Sequence, residues 1–135
     1  MPVNAINSSV DIAVSGLRAQ SRRMNLIAEN LANAHTTRTT QGGAYRRKEL
    51  VLRADDDGPG GVRIEGVRAD RANPLKRVRM PSHPDADSDG FVTLPNVSIP
   101  TEMMNLVVAS RAYQANAAVL KRYQDAVDTA LELLR

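Results

Sequence analysis

The sequence predicts an α+β fold: long N- and C-terminal helices packed as an antiparallel coiled-coil-like pair, with a small antiparallel β domain inserted between them. Three observations predict it. Apolar residues recur at heptad spacing at both ends of the chain; they alternate in the middle, between Gly- and Pro-rich clusters; and aromatic residues are scarce. With one Phe, three Tyr and no Trp in 135 residues, little is available for a self-sufficient core built on large rings. The expected segments are an N-terminal axial helix over 1–35, a loop and β domain over 36–97, and a C-terminal axial helix over 98–135.

Stepping alternately by four and three from Ile6 reaches Val10, Ala13, Leu17, Gln20, Met24, Ile27, Leu31 and Ala34, apolar except for Gln20. This is the stripe of a helix that packs along another helix. Gly16 lies inside it at a cost of about 1 kcal/mol relative to Ala, which close backbone approach would explain. The C-terminal stripe runs through Met103, Leu106, Ser110, Tyr113, Ala117, Leu120, Gln124, Val127, Leu131 and Leu134. Ser98 is placed as an N-cap, with Pro100 and Glu102 suited to the first turn. Helices of roughly 40 and 50 Å exceed what a small core requires. Two readings stay open: the helices fold against their own domain alone, or their remaining apolar surface packs on neighbouring copies. The small residues Ala13, Ser15, Gly16, Ala34 and Ala117 favour the second.

Between the helices, TTRTTQGGA (36–44) reads as a loop and YRRKELVLRA as a strand carrying Tyr45, Leu50 and Leu52. DDDGPGG is a turn, and GVRIEGVRAD alternates at Val62 and Ile64. NPLKRVRM offers a short alternating run through Val78 and Met80, PSHPDADSDG a second loop, and FVTLPNV a last strand before the C-terminal helix. A β segment of this size is marginal alone.

Asp85, Asp87, Asp89 and Gly90 mimic the start of an EF-hand loop, but position 12 is Asn96, where a bidentate Glu is required. Prolines 81 and 84 also break the helix that should precede it. The aspartates read instead as turn formers bonding nearby backbone N–H groups. Arg46, Arg47, Lys48, Arg63, Arg68, Arg71, Lys76, Arg77 and Arg79 give the middle a basic bias, yet the net charge is only +3. Nucleic-acid recognition would add stacking aromatics or a reading helix. A small basic coiled-coil nucleic-acid-binding protein is therefore the alternative, and no nucleic acid is the expectation. His35 and His83 lie in no catalytic spacing, and cysteine is absent. No enzyme, cofactor or metal is expected. A cleaved secretory signal is not expected at the N-terminus, and no apolar run reaches the roughly 18 residues of a membrane helix, so no direct membrane insertion is expected either.

Four segments carry a family resemblance. RMNLIAENLANAHTT (23–37), with its Asn-Leu-Ala-Asn core at 30–33, resembles the N-terminal signature of bacterial flagellar rod and hook axial proteins. QGGAYRRKELV (41–51) is similar to the segment that follows in proximal-rod members; one departure, Glu29 in the first segment, stands where the family often has a small residue. HPDADSDGFVTLPNV (83–97) resembles the turn and strand of one rod subtype, and EMMNLVVASRAYQANAAVLK (102–121) resembles the family's C-terminal helix. The resemblance implies a structural subunit of the proximal rod in the flagellar basal body, assembled helically through its terminal helices into a shaft that transmits torque. It implies copies of itself, other rod proteins, components of the MS-ring/rod junction and the flagellar type III export apparatus as partners. It also implies a periplasmic location reached without a cleaved signal peptide. The positions expected at subunit interfaces are Ile6, Val10, Leu17, Met24, Ile27, Asn30, Leu31 and Asn33 at the N-terminal end. At the C-terminal end they are Met103, Leu106, Tyr113, Asn116, Leu120, Val127 and Leu131. For Asn30 and Asn33 the competing reading is bonding to backbone where the helix ends.

Overall fold

The computed structural model describes residues 3–56, 58 and 60–134, with the backbone alone described for 3–8. Helix α1 runs Val3–Ala32 and helix α2 runs Ile99–Glu132. Between them lie strands β1 (Lys48–Ala54), β2 (Val62–Ala69), β3 (Lys76–Arg79) and β4 (Phe91–Leu94). The strands form two separate antiparallel hairpins, β1–β2 and β3–β4, where the sequence suggests one β domain. Alternation locates each strand but carries no information on which strands share a sheet.

The helices are antiparallel. Asn30 on α1 meets Glu102 on α2, and Gly16 faces Asn116, so rising numbers on α1 oppose falling numbers on α2. A Cβ on Gly16 would stand 2.8 Å from the Asn116 amide nitrogen, so the glycine is where the two helices close on each other. α1 ends because Asn33 turns its side chain back: its amide donates to Glu29 O at 2.9 Å and its oxygen accepts from Thr36 Oγ1 at 3.1 Å. The Glu29 carbonyl thus accepts twice from Asn33, the backbone N–H bonding it as well at 3.1 Å. Ser98 is the N-cap of α2, but its hydroxyl accepts from Thr101 Oγ1 and not from a backbone N–H.

α1 uses two faces. Ala13 and Ile27, both buried, belong to the predicted stripe toward α2, and Ala34, also buried, lies just past the end of the helix. Ala19 and Leu26, equally buried, sit on a second face turned to the β1–β2 hairpin. There Ser15 Oγ accepts from Val62 N at 3.1 Å and donates to Ile12 O at 2.7 Å. Gly61 passes against Ser15 and Ile12 at φ +104, a position that strains any side chain. The β1–β2 ladder carries a bulge, with Val51 opposite Gly66 but Leu52 opposite Ile64, so Glu65 is the extra residue.

Candidate assembly interface

The junction of α1, β1 and α2 is polar, and hydrogen bonds there tie the three elements together. Asn30, 1% exposed, makes all four bonds its amide allows. Its nitrogen donates to Lys48 O at 2.9 Å and Glu102 Oε2 at 3.0 Å, and its oxygen accepts from Tyr45 Oη and Lys48 N, both at 2.9 Å. Glu102, fully buried, takes Arg47 Nε on its other oxygen at 2.7 Å. Arg47 in turn donates through Nη1 to Glu49 at 2.5 Å. Burial alone would lower the Arg47 pKa, but the bond and charge of Glu102, then those of Glu49, hold it above the ordinary value.

The same strand start is bracketed from the far side. Asn96 accepts from Arg47 N at 2.8 Å and donates to Asp70 O at 3.1 Å and Asn73 O at 2.9 Å. Asp70 accepts from the Asn73 amide at 2.8 Å and from the backbone N–H groups of Ala72 and Asn73. The Asn73 bonds, side chain first, hold the Asp70 carboxyl below its usual range. Tyr45 is buried beside Glu29 and Glu102; burial first, then those two charges, push its hydroxyl up to about 12. Glu29 is tied to Lys48, whose ammonium also stands 5.6 Å over the Tyr45 ring. The departure at Glu29 is thus answered by a cation on β1.

The network turns α2. Its inward positions are Glu102, Ala109 and Asn116, every seven residues, the first two fully buried. The stripe Met103–Leu106–Ser110–Tyr113 lies about one position, roughly 100°, round the helix from that seam. Leu106, Asn116 and Leu120 are half-buried along it, while Met103, Tyr113, Val127 and Leu131 are exposed. Farther round stand Met104 (70% exposed), Val107 and Val108 (62% exposed), an apolar face left uncovered among the described residues. On α1, Val10, Leu17, Met24 and Leu31 are half-buried, and the side chain of Ile6 lies outside the described residues. Ile27 and Asn30 are buried within the chain, so they build the subunit and offer no surface to a neighbour. Asn33 ends α1, the backbone-bonding reading. The sequence reading missed Arg47, Asp70 and Glu102 as parts of one site. Its signals were present but scattered: an Arg counted as basic bias, an Asp at a strand end, a Glu assigned only to a first turn.

The Asp-rich turn is internally built as well. Asp87 Oδ1 accepts from Phe91 N at 2.8 Å and Asp89 N at 3.0 Å, and Oδ2 meets Arg77. The Phe91 N–H is the main cause holding the Asp87 carboxyl below its usual range. Asp85 binds Thr37 Oγ1 and Arg38 Nη2, each at 2.6 Å, tying this turn to the loop after α1. His83 accepts from Asp85 N at 3.0 Å.

Residues 11–38 match the family described as flagella basal body rod protein, and residues 88–133 match the C-terminal family described as flagellar basal body rod FlgEFG protein. A flagellar basal-body rod protein FlgC from Borreliella burgdorferi is 36% identical, over 95% of this chain and 97% of its own. One from Salmonella typhimurium is 44% identical, over 86% of this chain and 88% of its own. The chain belongs to the flagellar basal-body rod protein C family. A third member, from Agrobacterium fabrum, is 34% identical over 98% of both chains. As a member of that family the chain is a structural subunit of the flagellar rod, and these relatives lend no support to the nucleic-acid alternative. The two matched regions cover most of α1 and all of α2.

Proposed function

We propose that this subunit assembles into the proximal rod through the outward faces of its terminal helices, and that torque passes from copy to copy through that packing. The observation that carries the reading is the exposed apolar patch formed by Met103, Met104, Val107 and Val108 of α2. A contiguous apolar face of this kind marks an interaction surface. Copies joined through unlike surfaces extend into an open helical assembly when the rotation does not close. Other rod proteins and the MS-ring/rod junction are the further partners of this reading. Passage through the type III export apparatus and a periplasmic location complete it, on the strength of the family resemblance. Among the described residues no helix is long and apolar enough to cross a membrane.

Changing Leu17 and Leu120 together would damage the seam inside the subunit, because both are half-buried there. Met104→Asp with Val108→Asp is the cleaner variant, since neither side chain supports the fold. Its thermal midpoint should match the parent within the roughly 0.5 kcal/mol typical of surface changes, while basal bodies lack the protein and cells do not swim. Normal rods and motility in that strain would overturn the proposal.

A further inference from the structure

One flank of the α1–α2 pair is basic and grooved. Leu17, Arg18, Ser21, Arg22 and Asn25 of α1 form a groove with Tyr113 of α2. Arg18 and Arg22 are exposed and form no ion pair among the described residues. The last turns of α2 have the opposite character. Asp125, Asp128 and Glu132 share one face, flanked by Val127 and Leu131, and every residue from 124 to 134 is exposed. These acids also form no ion pair among the described residues. Asp128 and Glu132 are spaced as Arg18 and Arg22 are, four residues or about 6 Å along a helix.

Within one chain the two cannot meet. Gly16 opposite Asn116 places Ser21 level with residue 111, and Thr129 lies a further 18 residues, roughly 27 Å, along α2. We infer that the acidic C-terminal turns of α2 dock in the Arg18–Arg22 groove of a second copy, a head-to-tail contact that specifies register through charge. This rests on the assembly reading above and names one of its contacts.

The chain has no cysteine, so Ser21→Cys with Thr129→Cys reports the contact without background. Oxidation of the purified full chain at high concentration, and of isolated basal bodies, should give a ladder of covalent oligomers. Adding Asp128→Arg and Glu132→Arg should reduce the ladder at least about tenfold, and adding Arg18→Glu and Arg22→Glu as well should restore it. A ladder indifferent to both reversals, or none in either preparation, overturns the inference. Basal bodies that contain the chain but give no ladder overturn it while leaving the rod reading intact. Absence of the chain from basal bodies counts against the rod reading, and the purified chain then decides the contact.

Discussion

Glu102 shows how one residue can be legible in identity and opaque in role. Its place in the first turn of α2 follows from the helix dipole, yet its carboxylate is buried against Arg47 and Asn30, 55 and 72 residues away in sequence. No local pattern encodes partners so distant. Glu102→Ala leaves the guanidinium and the amide without their acceptor and should lower the unfolding free energy by about 3–5 kcal/mol. Urea unfolding measures it, and a loss under about 1 kcal/mol contradicts the keystone role. Tyr45 gives a pH test. Its hydroxyl is raised from 10.0 to about 12 in the fold, so its contribution is complete below pH 10 and is lost as pH rises from 10 toward 12. Tyr45→Phe should be less stable by about 1 kcal/mol at neutral pH, from the lost bond to Asn30. It should also lack that alkaline step in a thermal-melt series, and an unchanged step would assign it to another group. Asn96 belongs to the same scale. The residue that disqualifies the EF-hand is the bracket joining β1, the turn after β2 and the approach to α2.

At the scale of elements, the helices and four strands were readable because each is a local period, 3.5 or 2 residues. What was not readable is which face of a helix meets which neighbour. On α1 the predicted stripe does turn toward α2, but Ile12, Ala19 and Leu26 form a second heptad row against the β1–β2 hairpin. On α2 the largest apolar residues stand outside, and small or polar ones line the seam. Hydropathy ranks faces by apolar content, so it misorients a helix whose richest face is turned away from the rest of its own chain. Gln20, the one break in the α1 stripe, has a buried side-chain oxygen without a hydrogen-bond partner among the described residues. Gln20→Leu should therefore raise stability by about 1 kcal/mol in denaturant unfolding; a destabilised variant would show that the amide has a role inside the seam.

For the molecule as a whole, the pieces divide the labour. The polar junction and the Ser15 and Gly16 contacts hold two helices of about 45 and 51 Å against a small pair of hairpins. The bulk of the large exposed apolar side chains is then left on α2, facing away from that junction. On the assembly proposed above, a neighbouring subunit covers that face. The most direct test is maleimide labelling of Val108→Cys, a single thiol in an otherwise cysteine-free chain. The account predicts rapid labelling of the purified subunit and at least about a hundredfold slower labelling in intact basal bodies, as for a side chain in a packed interface core. Equal rates in the two states would contradict it.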